Sequence, residues 1–439
     1  MEKNNKKTIN AWCMYDWANS VFSLTITTAI FPDYFLGVTS NPVKFLSFSL
    51  DNDVLMSYIV SASFLFVALL SPFLTSIADY SGRKKMFMQF FCYLGSLACI
   101  SLYFFKPEGD AKFVVDTALF IGVFSFFFGL VGYSGSIVFY NSFLPEITDE
   151  TNFDKVSARG FSLGYIGSVL LLIINLATYF AAESGYIPGV DGSEAARWSF
   201  LTVGVWWFGF AQYTFIHLPK YSKTVKNEGN WIFNGLKELR KVFFEVEKRR
   251  LLKRFLLSFF FYNMGVQTVM YLAPLFAKKE IGLESSNLIL TILIIQLVAI
   301  VGATFFNYTS SKVGNIKALL LGITIWIMVC GMAYFVQKGI SFYILAALIG
   351  FVMGGIQSLS RSTYSKLIPQ NSNDNASFFS FYDVADKIST VLGTFMFGFV
   401  KQITGNMRNS VLVIAVLFVI GAIIIAYIPS KKVYTEADQ

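Results

Sequence analysis

Histidine is almost absent from this chain of 439 residues, and cysteine is scarce. The one histidine, His217, leaves nothing from which to build a histidine-based metal centre or proton relay. All four cysteines, Cys13, Cys92, Cys99 and Cys330, fall in apolar segments, which argues against a disulfide framework and against a zinc site. There is no G-x-x-x-x-G-K-(S/T) loop, so the chain does not read as an ATP-driven pump. Clustered acids for magnesium and embedded histidine pairs are also missing, which removes membrane-bound transferase and lipid-processing chemistry. No enzyme activity, cofactor or metal is therefore expected. Charge is thin as well, at 14% of residues.

What fills the chain instead is apolar. Hydrophobic residues make up 55% and phenylalanine alone contributes 48, with a mean hydropathy of +0.58. That is too apolar for a soluble chain of this length and predicts an all-α polytopic membrane protein, its phenylalanines facing lipid. The opening residues MEKNNKK lead into a long span with no small-residue cleavage site, so no removable signal peptide is expected. Twelve segments are each long enough to cross ~30 Å of hydrocarbon as a helix. They cover 10–37, 54–77, 86–105, 113–140, 159–181, 198–217, 252–277, 286–308, 316–336, 341–361, 376–400 and 410–428. The first and seventh carry Asp, Asn, Gln or Thr, as helices facing water inside a bundle do.

Basic residues set the orientation. With both termini in the cytoplasm, 25 of the 35 lysines and arginines fall on that side, which satisfies the positive-inside rule. The net charge of +8 then reflects topology and contact with anionic lipid, not nucleic-acid binding. The central loop, about His217 to Arg254, splits the spans six and six. The expected organisation is a six-helix bundle at 1–217, a linker at 218–251 and a second bundle at 252–439. Within the linker Ile232, Leu236, Leu239, Phe243 and Val246 recur at helical spacing, which predicts an amphipathic helix lying on the inner membrane surface.

The two halves carry matched fragments in the same order. MYDWANS at Met14–Ser20 pairs with FYNMGVQ at Phe261–Gln267, ADYSGRKK at Ala78–Lys85 with SSKVGNIK at Ser310–Lys317, and FLPE at Phe143–Glu146 with LIPQ at Leu367–Gln370. Three matches in register predict a duplicated six-helix unit. Its pseudo-twofold axis runs along the membrane normal, since both copies start from one side. Gly122, Gly129, Gly132 and Gly135 in the fourth span, and Gly350, Gly354 and Gly355 in the tenth, mark close helix packing.

The stretch between the second and third spans, TSIADYSGRKK at Thr75–Lys85, places Asp79 before a turn glycine, Gly82, and then Arg83, Lys84 and Lys85. It resembles the signature loop of the major facilitator superfamily, with Thr75 and Tyr80 departing from the usual glycine and basic residue. The resemblance implies that Asp79 faces the start of the eleventh helix and latches the halves together on the cytoplasmic side. A carboxylate gains there from unpaired N–H groups and the helix dipole. A narrower resemblance rests on YDWANS at Tyr15–Ser20, YNSFLPE at Tyr140–Glu146, GFSLGY at Gly160–Tyr165, LSRS at Leu359–Ser362 and FYD at Phe381–Asp383. Together these resemble the unknown major facilitator family, which is related to the vacuolar amino-acid effluxers of fungal autophagy. That resemblance implies export of small neutral amino acids.

Polar residues inside spans belong in a water-filled cavity or in pairs. Asp16 lies about 9 Å into the first span, with Asn19 one turn deeper on the same face. It has no obvious local partner, which singles it out as a functional carboxylate, a proton carrier or a site for a substrate ammonium, with a helix-pairing role as the structural alternative. Asn263 and Gln267 share a face of the seventh span, and Asp383 and Lys387 of the eleventh, where the pair neutralise each other or meet substrate or proton. Tyr140, Asn141 and Gln357 offer neutral groups that orient a zwitterion. Asp79, Gly82, Arg83, Glu146 and Arg361 are expected to form the cytoplasmic gate. The expected function is secondary transport of a small solute by alternating access, in a monomer in a bacterial inner membrane. The alternatives are a proton-coupled multidrug exporter and a non-transporting scaffold or receptor.

Overall fold

The computed structural model describes residues 3–46, 48–107, 112–219, 231–283, 285–337, 340–369 and 373–429. Within these the side chains of 112–115, 231–235, 275, 279, 285 and 286 are outside the description. Helices α1 (Lys6–Val21) and α2 (Phe31–Val38) form one rod, bent by 41°. They are joined by a π-helical stretch, Phe22–Ala29. Pro32 is the physical reason for the bend: it has no N–H for the Thr28 carbonyl, and the local bonding widens so that Ile30 N–H donates to Thr25 at 2.9 Å. Asn5 caps α1, its side chain accepting from the N–H groups of Lys7 at 3.0 Å and Thr8 at 3.3 Å. A short antiparallel hairpin follows, β1 (Val43–Phe45) and β2 (Phe48–Leu50), which the all-helical expectation did not include.

The remaining helices of the first half are α3 (Asn52–Ser81), α4 (Lys84–Leu102), α5 (Lys112–Ser142), the short α6 (Leu144–Ile147), α7 (Phe153–Glu183) and α8 (Gly192–His217). After α9 (Trp231–Lys248) come α10 (Arg250–Phe276), α11 (Ser285–Val313), α12 (Asn315–Phe335), α13 (Ile340–Leu367), α14 (Asn375–Thr404) and α15 (Met407–Ala426). Among the described residues the rods thus number twelve, consistent with the twelve apolar segments. By length and composition alone, nine helices among the described residues qualify as membrane spans, ten with the bent pair. The two that fall short are α8, which carries Trp198, Trp206, Trp207 and Tyr213, and α14, which carries Asp383, Asp386 and Lys387.

One core runs through the first six rods and a second through the last six. Close approach between neighbours needs glycine. A Cβ on Gly132 of α5 would lie 2.4 Å from the backbone nitrogen of Gly95 on α4, and one on Gly354 of α13 2.1 Å from the Ala299 carbonyl on α11. Between the halves, α3 and α5 pack on α14, and α7 packs on α11 and α13. The outward faces are apolar: Phe90 and Leu97 on α4 and Phe104 just beyond it are each about 60% exposed, as lipid-facing side chains are.

The linker helix divides its apolar stripe between the bundle and the outside. Val242 and Val246, one turn apart, are buried against the bundle, and the Phe243 ring meets that of Phe381 of α14 at 6.2 Å, tilted by 43°. Leu236, Phe243 and Phe244 keep substantial exposure. Lys241 donates to Asp374, just before α14, at 3.0 Å, and to Glu238 at 2.6 Å. α9 therefore crosses from α3 to the start of α14. The side chain of Ile232, residues 220–230, Gln370 and both chain termini lie outside the described residues. Below, the end of the molecule carrying α9 and the α3–α4 turn is called the linker end.

Candidate functional site

At the linker end, Gly82 terminates α3 in the left-handed region (φ 66°), where Cβ strain excludes most residues, and its N–H returns to Ala78 and Asp79. The turn aims Asp79 at the start of α14. Asp79 Oδ2 accepts from the Ser377 N–H and O–H, both at 2.7 Å, and Oδ1 from the Ala376 N–H at 3.3 Å. Lys84 lies 3.5 Å from Asp79 and forms an ion pair with Glu146, which also accepts from Asn375 at 3.1 Å. Asp79 and Glu146 of the first half thus meet α14 of the second. Arg83 is not part of this cluster: its side chain is exposed, and the next residue, Lys84, turns inward instead.

A second cross-half cluster escaped the sequence reading. Asp154, in the first turn of α7, accepts from Lys366 at 2.8 Å, Ser310 at 3.1 Å and Asn315 at 2.7 Å. Ser310 and Asn315 flank the α11–α12 turn, the repeat counterpart of the α3–α4 turn. The geometry is inverted: here the acid sits at the helix start and the turn supplies the donors. The SSKVGNIK match was a signal for the turn, but nothing in local spacing pointed to Asp154 as its partner.

Deeper, the halves enclose a cavity of about 190 Å³. Asp16, Asn19, Tyr140, Asn141, Asn263, Gln267, Gln357, Asp383 and Lys387 all line it, and so does Arg361. Arg361 is not at the mouth, and Asp16 does not stand alone. From α13, Arg361 Nη1 and Nη2 each donate to Asp16 Oδ2 at 3.2 Å, and the Tyr140 hydroxyl donates to the same oxygen at 2.7 Å. Arg361 also donates to the Ser157 hydroxyl and carbonyl at 2.9 Å, and its guanidinium packs on the rings of Trp12, Tyr140 and Phe161. Trp12 is held in turn by donating to the Tyr140 carbonyl at 2.9 Å. Ring contacts on a planar cation and several donors aimed at once at Asp16 Oδ2 and Ser157 suit arginine in a way lysine cannot reproduce.

Gly160 makes room for this pair, because a Cβ there would stand 2.5 Å from Asp16 Oδ2 and 3.0 Å from Arg361 Nη2. Gly160→Ala is therefore expected to push the ion pair apart, costing about 1–3 kcal/mol of stability. Thermal unfolding of the detergent-solubilised variant measures this, and an unchanged midpoint would contradict it.

On α14, Lys387 lies 2.7 Å from Asp386 and 3.3 Å from Asp383. Asp386 was missed in the sequence, where attention fell on the four-residue spacing of Asp383 and Lys387. It is the group that Asn263 and Gln267 of α10 serve, donating to its Oδ1 at 2.9 and 2.8 Å. The paired amides one turn apart on α10 were the available signal. A second cavity of about 120 Å³, lined mainly by apolar groups of α10, α11 and α13, adjoins the first and shares Ser23, Thr28 and Met270 with it.

Twelve rods in two sets of six around a shared polar cavity, with an acid capping a helix of the opposite half, define a major facilitator transporter. Solved structures agree in fold. FucP in its outward conformation superposes with a TM-score of 0.68 at 12% identity, covering 96% of this chain and 99% of that one. The human organic anion transporter MFSD10 gives 0.70 at 11%, covering 97% and 100%. The chain belongs to the vacuole effluxer Atg22 like family, whose model matches residues 4–438. It is 33% identical to the MFS-type transporter YxiO of Bacillus subtilis strain 168, over all of this chain and 98% of that one. It is 26% identical to autophagy-related protein 22 of Kluyveromyces lactis, over 89% and 82%. The chain is thus an integral membrane transporter and not an enzyme.

Proposed function

We propose that this transporter moves small neutral amino acids by rocker-switch alternating access. The observation that carries this reading is the cavity itself, polar and charged on both halves and adjoined by an apolar annex. Every contact Asp16 makes with Arg361 and Tyr140 falls on Oδ2, which leaves Oδ1 for a substrate ammonium. One turn on, the Asn19 Nδ2 group is buried without a partner, as is the Ser134 hydroxyl on α5. These donors suit a carboxylate, and the annex suits an apolar side chain. A multidrug exporter for lipophilic cations would want a larger, less polar chamber. A scaffold would have no use for five ionisable groups around a cavity, four of them buried and Asp386 half-buried.

In this reading Asp79, Glu146 and Asp154 hold the linker end closed, and those contacts break when the halves rock apart. Both termini and the linker end then face the cytoplasm, and a bacterial relative fits residence in the inner membrane. The test is flux into proteoliposomes of purified protein. Saturable uptake of a neutral amino acid such as leucine or alanine is the expected outcome; saturable flux of lipophilic cations alone, or no flux of any solute, would contradict it.

A further inference from the structure

The charges around the central cavity do not balance. Three acids, Asp16, Asp383 and Asp386, face two bases, Arg361 and Lys387, so the lining carries a formal charge of −1. The surplus falls on one group. Asp16 is matched by Arg361, and Asp386 accepts from Lys387, Asn263 and Gln267. Asp383 shares Lys387 at the longer distance of 3.3 Å, is only 5% exposed, and its Oδ2 is buried with no hydrogen-bond partner.

Among the described residues, the only cations lining the cavity around Asp383 are Lys387 and Arg361. α3 brings Phe64, over which Lys387 sits at 5.6 Å, and the buried hydroxyl of Ser71. α10 brings Asn263, Gln267 and Tyr271, and α5 brings Tyr133. The one charged residue of α15, Arg408, lies at its far end near Glu280, and on α9 Lys241 is engaged with Glu238 and Asp374 at the start of α14. The Asp16–Arg361 pair completes the ring as a neutral unit.

Water in an empty cavity screens a surplus charge. A bound solute displaces that water and leaves the charge in a low-dielectric enclosure, where it is costly. A zwitterion brings no net charge and cannot correct the imbalance, so a separate cation must. A metal cation at Asp383 would lie close to the Lys387 ammonium and be repelled by it, whereas a proton placed on Oδ2 removes the charge outright. We propose that Asp383 binds one proton together with each neutral solute, so that Asp383, and not Asp16, is the coupling site. The proton comes from water on the side where the cavity is open and returns to water on the opposite side. Solute and proton travel the same way, so efflux requires acid in the compartment being emptied.

This inference rests on the amino-acid reading above, and the experiment separates the two. Proteoliposomes loaded with a pH-sensitive dye are given a neutral amino acid, with and without a gradient of about one pH unit. The expected result is one proton per solute and accumulation approaching about tenfold when the acid side is outside. Asp383→Asn loses both the dye signal and the gradient-driven accumulation, and Asp383→Glu, which keeps a titratable carboxyl, restores the dye signal. Amino-acid flux by the unsubstituted protein without proton movement, or driven by sodium instead, overturns the coupling site while leaving the amino-acid reading standing. An Asp383→Asn variant with the full proton-to-solute ratio overturns it as well. No amino-acid flux at all overturns the parent reading and the coupling site with it.

Discussion

Replacing Arg361 with glutamine is expected to lower stability by about 3–5 kcal/mol, the cost of leaving one member of a buried ion pair without its partner. Asp16 is 7% exposed and Arg361 3%, so cavity water replaces the lost guanidinium only in part. The effect should exceed that of most single changes, because Arg361 also supplies the donors to Ser157 and fills the space between Trp12, Tyr140 and Phe161. Unfolding of the solubilised protein with denaturant or heat measures it. Asp16→Asn should be milder, since an amide oxygen still accepts from Arg361. The double variant should be less impaired than the sum of the singles, with a coupling of roughly 0.5–3 kcal/mol. Additive losses would show that the two side chains do not act on each other. Because the pair joins α1 to α13, its loss should also loosen the closed arrangement of the halves.

The second large effect is expected at Asp79. Asp79→Asn removes the negative charge from the first turn of α14 and from beside Lys84, which keeps its ion pair with Glu146. Weakened charge-assisted hydrogen bonds and a lost helix-dipole contact together are worth roughly 2–3 kcal/mol. If that energy is spent only in the state closed at the linker end, the balance between states moves by about one and a half to two orders of magnitude. A thiol placed at Ser134 in a background without the four native cysteines reports this directly, since Ser134 lines the cavity and is buried in the closed arrangement. Reagent added from the linker side should label it faster by that factor in Asp79→Asn. Unchanged labelling would mean that Asp79 only shapes its own turn. Lys366→Gln, acting on the Asp154 cluster, should push in the same direction.

How far the residues alone foretold this arrangement depends on the distance over which each interaction acts. Apolar segments of membrane length are local, so all twelve rods were legible, and the polar exceptions within them marked the cavity. Every residue proposed to line that cavity does so, because a polar side chain in a span has few other places to be. The Asp79 contact was legible only through family likeness. The partners that were missed are far apart in the chain: Asp16 and Arg361, or Asp154 and Lys366, share no spacing that a helix would reveal. Arg361 looked like a mouth residue because it stands near the end of a predicted span, but α13 runs on to Leu367 and leaves it a turn and a half inside. Asp386 was hidden by a better-spaced neighbour, and the α1–α2 bend had Pro32 as its one local signal within a segment of membrane length.

The central claim is that two six-helix sets close over one polar cavity and that contacts at the linker end hold them together. Spin labels at Arg83 and Lys312, exposed sites on the α3–α4 turn and at the end of α11, measure the separation of the halves there. The expected result is one short distance in the unsubstituted protein, and a second, longer population that grows in Asp79→Asn and in Lys366→Gln. A single unchanged distance in all three proteins would contradict the account.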